Sequence, residues 1–396
     1  MFAKRTNWDL TPNRLSEALA AHRAAGKPLL DLTVSNPTEC GFSQNSKAIL
    51  EALSNPAALR YDPNPRGLER ARQAVAGYYA DRNEAVSIED IFLTTSTSEG
   101  YSYAFRTLCD PCDEVLIPSP GYPLFDFLAE IQDVKVVRYP LVYSTHASKA
   151  RNEHGWQIDF DALEQSITKR TRAVIVVHPN NPTGHYVKSS ERAKLNTLCF
   201  ERQMAIIADE VFLDFALDGN RAASFAANSD ALTFMLSGLS KISGLPQMKA
   251  AWLVLSGPQD LKRETAGRLE MIADTYLSAN APVQLAMPVF LEQRHDFQEQ
   301  LLLRVRANLA ELDRLLAKQS ACSRLEVDGG WYVVLRVPAV QSDEDLAIAL
   351  LTSRSVYVHP GHFYDFPSEG FLVVSLITPE AIFSEGIAAV FNSPRW

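Results

Sequence analysis

Leu232–Lys249 reads LTFMLSGLSKISGLPQMK. An apolar strand runs into a Ser-Gly turn that presents one lysine, Lys241, behind the hydroxyl of Ser240 and ahead of Gly244-Leu245-Pro246. A second cation, Lys249, follows eight residues later. A lysine in a buried, polar-lined turn forms a Schiff base with an aldehyde when its surroundings lower its pKa enough to leave a neutral amine. Lysines near glycines are also common in solvated loops. The stretch therefore takes its meaning from what the rest of the chain supplies.

Upstream, apolar strands and helical segments alternate. Strand IFLTT (Ile91–Thr95) precedes a helix over Ser98–Leu108, and strand EVLIPS (Glu114–Ser119) precedes a helix over Tyr122–Glu130. Strand VKVVRY, a helix over Asp159–Ile167, strand AVIVV (Ala173–Val177), a helix over Glu191–Arg202 and strand AIIAD lead into the opening stretch. Strands alternating with helices predict an α/β fold with a mainly parallel central sheet covered by helices. Ligands in such sheets gather at the carboxyl ends of the strands. Strand AAWLVLSG follows Lys249, then long helices from about Asp260, Val283 and His295. The tail, with GWYVVLRV and FLVVSLI around a helix over Ser342–Leu351, reads as antiparallel. With the N-terminal segment, where a helix is expected over Leu10–Gly26 and a strand over Leu29–Pro37, it forms a smaller α+β domain. The expected division is 1–50 and 286–396 for the small domain and 51–285 for the large one.

A chain of 396 residues is long enough for such a division. Its 46% hydrophobic and 21% charged content is that of a soluble globular protein, and a net charge of −9 argues against a nucleic-acid or anionic-membrane surface. No apolar run reaches the length of a membrane span, and MFAKRTNWDL lacks the apolar core of a secretory signal. Five cysteines do not suit a disulfide framework. The Cys109/Cys112 pair has no second pair to complete a zinc site and reads as a helix-to-strand turn. No metal is expected, and a reducing cytoplasm is the expected location.

Four polar clusters stand at strand ends. In TTSTSEG (Thr94–Gly100), Ser96, Thr97 and Ser98 offer hydroxyls beside the free N–H groups of a helix start, which is a phosphate cradle or a plain N-cap. In PSPGYPLF (Pro118–Phe125), Tyr122 either lies over a flat ligand or packs as a structural tyrosine. In VVHPNNPTG (Val176–Gly184), a buried strand ends in a turn where the Asn181 amide either binds a phenolic oxygen or belongs to a turn with no ligand. In AIIADEVFLDF (Ala205–Phe215), Asp209 needs a partner, which a pyridinium N–H or a salt bridge would supply. Asn36, in the SNPT turn, either touches a ligand or satisfies its own backbone. Together with Lys241, the four clusters match the needs of pyridoxal 5'-phosphate (PLP).

NNPTG, ADEVF, SGLSK and GLPQMK, supported by PSPGYP and LRYDPNPRGL, resemble the class I/II aminotransferases, PLP enzymes of fold type I related to aspartate aminotransferase. The resemblance runs from DLTVSNPT to VYVHPGHFY. It implies that Lys241 is the Schiff-base lysine and general base, that Asp209 pairs with the pyridine nitrogen, that Asn181 holds the phenolic oxygen and that Tyr122 stacks on the ring. Ser96, Thr97, Ser98 and Ser240 would bind phosphate, with Lys249 as counter-charge. Tyr61 would reach the phosphate of a neighbouring subunit, which implies a homodimer. The implied activity is amino transfer between an amino acid or related amine and a 2-oxo acid. PLP-dependent lyase (β-elimination or C–S lyase) or cyclase chemistry on the same scaffold is the alternative, and a PLP-binding protein with little catalysis is a third reading.

Three positions depart from the family pattern. Phe212 stands where a tyrosine usually donates to the phenolic oxygen. Lys249 stands where an arginine usually meets the phosphate. Val373 stands where an arginine usually clamps the substrate carboxylate, which puts an ordinary amino-acid substrate in question unless another cation, such as Arg66 or Arg60, replaces it.

Overall fold

A computed structural model describes residues 1–145, 154–219 and 222–392. Strand β1 (Leu30–Asp31) comes first; β2 (Ile91–Thr94), β3 (Glu114–Ser119), β4 (Lys135–Ser144), β5 (Gly155–Ile158), β6 (Thr171–Val177), β7 (Ala205–Asp209), β8 (Thr233–Gly238) and β9 (Ala251–Ser256) follow. Those eight form one sheet in the order β2-β9-β8-β7-β6-β3-β4-β5. β9 and β5 pair antiparallel with their neighbours, and the other six strands share one direction. The sheet is the mainly parallel one that the alternation predicts.

Alternate residues of these strands enter two different cores. Val174, Val176, Ile206, Ala208 and Met235 face one side. Ala173, Ile175, Val177, Ile207 and Phe234 face the other. Because both faces are covered, the strands read as unbroken apolar runs rather than as polar/apolar alternations. Each buried Val, Ile or Phe contributes roughly 1.5–3 kcal/mol relative to exposure. The first core continues into a second sheet, made of β10 (Ser323–Arg324), β11 (Tyr332–Arg336), β13 (His359–Pro360) and β14 (Phe371–Ser375) in the order β10-β11-β14-β13. β12 (Val356–Tyr357) pairs in parallel with β1, which joins the N-terminal segment to the C-terminal one. No helix among the described residues is long and apolar enough to cross a membrane.

Several boundaries differ from the sequence reading, each for a local reason. The first helix is Arg14–Ala24, because the Asn13 side chain caps it by accepting from the Ser16 N–H at 2.7 Å. The strand expected over Leu29–Pro37 shrinks to two residues, because Asn36 starts a 3-10 turn at Pro37–Glu39. The last helix of the chain, Glu380–Phe391, and the helix Ser46–Leu53 were not expected at all. Cys109 and Cys112 lie between the helix Thr97–Leu108 and β3, and all five cysteines are free.

Candidate active site

Register places the chemistry. Val177 at the end of β6 pairs with Asp209 at the end of β7, and Asp209 pairs with Leu236 of β8. The turns after β6, β7 and β8 therefore emerge side by side, carrying Asn181, Asp209 and Lys241. β3 lies next to β6, but the chain leaves β3 in the opposite direction, toward β4 and β5, before returning to β6. That reversal opens the crevice expected at a topological switch point. Here it is a cleft of about 330 Å³. Ser96, Thr97, Ser98, Tyr122, Asn181, Asp209, Ser240 and Lys241, eight of the residues singled out from sequence, all line it.

Lys241 sits in the short helix Leu239–Ile242, locked by Leu239 N–H donating to Ala250 O and Leu245 N–H to Leu239 O. Its ammonium donates weakly to Ser35 O at 3.4 Å and lies 4.9 Å from the Trp331 ring and 5.8 Å from the Phe212 ring. Burial pulls its pKa down to about 8, although the charge of Asp209 works the other way. A useful fraction of free amine is thus present near neutral pH.

Asp209 is buried and makes no ion pair among the described residues. Its Oδ1 accepts from Val211 N–H at 3.2 Å and its Oδ2 from the Tyr101 hydroxyl at 3.0 Å. Burial pushes its pKa up to about 6, with both hydrogen bonds pulling against that rise. Such a carboxylate is poised for a cationic N–H donor on a ligand. Glu210, next in sequence, turns away. It accepts from Ser224 Oγ and Phe225 N–H, both at 2.6 Å, and is structural.

Asn181 is presented by a rigid turn. Asn180 N–H donates to His185 O and Gly184 N–H to Asn180 O, while the Asn180 amide donates to Pro120 O. Gly184 has φ +72°, and a Cβ there would lie 2.4 Å from Val327 Cγ2. Glycine is required at that position on both counts. The buried Oδ1 of Asn181 has no hydrogen-bond partner. An orphaned amide at a cleft wall can turn either edge to a ligand.

The helix Thr97–Leu108 begins at the cleft, with Ser96 as N-cap accepting from Glu99 N–H at 3.2 Å. The Thr97 and Ser98 amides lie in the first turn, where intrahelical acceptors are lacking, so they and the helix dipole suit an anion. Tyr122 is half-buried and packs edge-on against Phe125 at 5.8 Å. The arrangement fits a flat ring with an anionic tail, a ring nitrogen and an aldehyde.

Other sequence candidates lie elsewhere. Lys249 is exposed, at a left-handed residue closing the turn Pro246–Met248, and does not line the cleft. Tyr61 is 77% exposed on a loop that borders a separate cavity of about 420 Å³, together with Arg60. Arg66 pairs with Glu270 at 2.9 Å and Glu89 at 3.7 Å and lies over the Phe92 ring, outside the cleft. Asn36 satisfies its own turn, accepting from Thr38 N–H and donating to Glu39. Val373 is 1% exposed in β14. Tyr101, Trp331 and Tyr332 were missed from sequence. Only Tyr101 carried a signal, since it lies one helical turn beyond Thr97 on the same face.

The family model for aminotransferase class I and II matches residues 27–382. A glutamate-pyruvate aminotransferase of Escherichia coli is 27% identical over 361 residues, covering 89% of this chain and 87% of that protein. An alanine aminotransferase of Mycobacterium tuberculosis is 29% identical over 358 residues, covering 87% and 80%. Among solved structures, an aminotransferase from Escherichia coli superposes with a TM-score of 0.85 at 23% identity, covering 100% of this chain and 99% of that one. An alanine aminotransferase from Pyrococcus furiosus gives 0.86 at 21% identity, covering 98% of each. The chain belongs to the class I and II aminotransferases and shares the fold of the aspartate aminotransferase-like enzymes of fold type I; it is a transaminase.

Proposed function

We propose that this enzyme binds PLP at Lys241 and moves an amino group from an amino acid or related amine to a 2-oxo acid. The observation that carries the reading is the convergence of Lys241, Asp209, Asn181 and the Thr97 helix start in one cleft. When bound, PLP would supply an aldehyde that bonds the incoming amine and a ring that withdraws electrons from the substrate Cα.

The chain's residues account for the rest. Asp209 holds a negative charge against the ring nitrogen and keeps it protonated. Asn181 donates its amide N–H to the phenolic oxygen. Tyr122 covers one face of the ring and limits water there. Thr97 and Ser98 take the phosphate on main-chain N–H groups, with the hydroxyls of Ser96, Thr97, Ser98 and Ser240 around it. Lys241 would hold the cofactor through its Nζ, and the same Nζ, when free, would take the proton from the substrate Cα and deliver it to the cofactor carbon. A pKa near 8 suits a group that must both accept and donate near neutral pH. The exposed Tyr61 loop cannot serve its own cleft from where it stands; serving that of a second copy in a homodimer is the role we assign it.

The test is a spectral one. The PLP-loaded protein is mixed with alanine or glutamate, the donors that the relatives' names make the first to try. Loss of the long-wavelength cofactor band, and its return on adding pyruvate, is the expected result. Ammonia release without that cycle would overturn amino transfer in favour of lyase chemistry. A band that survives Lys241→Ala would overturn the assignment of the anchor.

A further inference from the structure

The small sheet contributes Tyr332 to the side of the cleft facing the large-sheet turns, and the residues behind it continue that face. In the antiparallel pair β11–β14, Tyr332 stands opposite Ser375 and Val334 opposite Val373. Opposite residues, and residues two apart on one strand, share a face. Tyr332 lines the cleft, so Val334, Val373 and Ser375 lie on the face that looks the same way. Val373 also pairs with His359 of β13. At and beside Tyr332 this face carries valines and a serine, all uncharged.

A carboxylate brought against that wall would need a cation. Lys241 is the only cation among the described residues lining the cleft, and amino transfer uses it. Burial lowers the His359 pKa to about 4, so the imidazole is neutral at working pH, and its Nδ1 is 3.0 Å from the Tyr364 hydroxyl. Arg304 is held by Glu380 at 3.3 Å and by Cys40 O, over the Phe42 ring. Arg66 is paired with Glu89 and Glu270. Arg336 shares the Tyr332 face but is exposed and four residues further along β11, roughly 13 Å at the usual strand rise. The polar groups on this face are neutral: the Tyr332 hydroxyl, and the Ser375 hydroxyl, which is buried without a partner among the described residues. Neutral groups of this kind serve a carboxylate and a neutral polar group alike, whereas desolvating an unpaired carboxylate is costly.

We infer that the enzyme does not use a carboxylate on the reacting carbon as an anchor: primary amines lacking that carboxylate enter the first half of amino transfer as well as the matching α-amino acids do. The inference rests on the proposed amino transfer at Lys241 and names the substrate class of that same site.

Two measurements on the PLP-loaded protein test it. The first is the rate at which matched donors bleach the cofactor band: phenylalanine against 2-phenylethylamine, and alanine against ethylamine. A charged hydrogen-bonded clamp would favour the amino acid by about 10- to 100-fold or more. The inference expects each pair to agree within about tenfold, or to favour the amine. A preference for the amino acids beyond about tenfold overturns it, including one created by a cation from a second copy of the chain. The second is calorimetric binding of unreactive ligands, 3-phenylpropionate against 3-phenylpropanamide. The amide should bind at least as tightly, and a carboxylate bound more than tenfold tighter is the contrary result. If no donor bleaches the band, amino transfer fails, while the ligand pair still decides the anchor. Val373→Arg should shift both comparisons toward the carboxylate, and unaltered ratios in a folded variant would refute the assignment of this wall.

Discussion

On the large-sheet wall of the cleft, the turns after β6, β7 and β8 carry Asn181, Asp209 and Lys241, and a helix begins at Thr97. On the small-sheet wall, the corresponding face carries Tyr332, Val334, Val373 and Ser375. The first wall holds both of the cleft's charges among the described residues, and it holds them before any ligand arrives. Asp209 and Lys241 are each displaced from their ordinary pKa by burial, toward the state in which they are least charged. The second wall is neutral and packed. The difference teaches where the family chemistry resides and where this chain has freedom: charge arranged in advance serves a fixed cofactor, and an uncharged wall imposes shape on the substrate but little electrostatic selection.

The contrast breaks most completely at Lys241. Lys241→Ala should lower kcat by at least about 10³-fold, given what a positioned acid–base group contributes. Little change in thermal stability should accompany the loss, because among the described residues the ammonium makes a single long hydrogen bond, to Ser35 O at 3.4 Å. Activity within tenfold of wild type would remove the lysine from the mechanism.

Asp209→Asn should lower kcat by roughly 10²-fold, the scale of losing a charge aimed at the reacting system. It should also stabilise the cofactor-free protein. The folded-state pKa of Asp209 is raised from 3.8 to about 6. A raised carboxylate costs stability when ionised, in full above about pH 6, and the cost fades as pH falls through 6 toward 4. That cost is about 3 kcal/mol by linkage. The melting temperature of the cofactor-free variant should therefore exceed wild type at pH 8 and match it near pH 4. A variant less stable at pH 8 would show the carboxylate to be satisfied without a ligand.

The free amine of Lys241 sets a pH dependence. With a pKa of about 8, its neutral fraction rises roughly tenfold from pH 6 to 7, roughly fivefold from 7 to 8, and levels off above. The rate at which PLP forms the long-wavelength band with the cofactor-free protein should follow that curve. A flat profile from pH 6 to 8 would mean a lysine already neutral.

Gly184→Ala sharpens the comparison by disturbing how the large-sheet wall is presented. The added Cβ meets Val327 and the Gly329 carbonyl in a left-handed residue, so the Asn181 turn must shift. PLP affinity should fall by about tenfold, consistent with one weakened hydrogen bond, as read by equilibrium dialysis. The smallest effect is expected at Phe212→Tyr. Phe212 lines the cleft and packs edge-on against Trp331 at 5.2 Å. A phenol there adds a donor near Asn181's ligand, and should move the pH of the bound-cofactor spectral transition downward by less than about one unit. An upward move would place the new hydroxyl elsewhere.

Much of the first wall was legible in the chain. Strand β7, AIIAD, and strand β3, EVLIPS, were read with their observed bounds, because a strand buried on both faces is an apolar run that a polar turn must end. The polar residues ending those runs are the site. The strand Gly155–Ile158 was not legible, since GWQI is short and takes its strand form from pairing with Leu141–Ser144. Asn36 and Arg66 were open in sequence because any exposed polar residue near a turn can meet a ligand. The fold gave Asn36 its own Thr38 N–H to cap and gave Arg66 two carboxylates.

The sequence by itself determined the α/β sheet, the order of its strands in the chain and the five clusters that suit PLP. These are local properties: the length and apolarity of a strand, and the turn residues that end it. Only the tertiary structure decided that Tyr101, more than 100 positions away, donates to Asp209, that Lys249 stands outside the cleft, and that Val373 shares a face with Tyr332. Such facts depend on how elements distant in sequence pack; for Val373 the cause is strand register, since a shift of one residue would turn it to the opposite face.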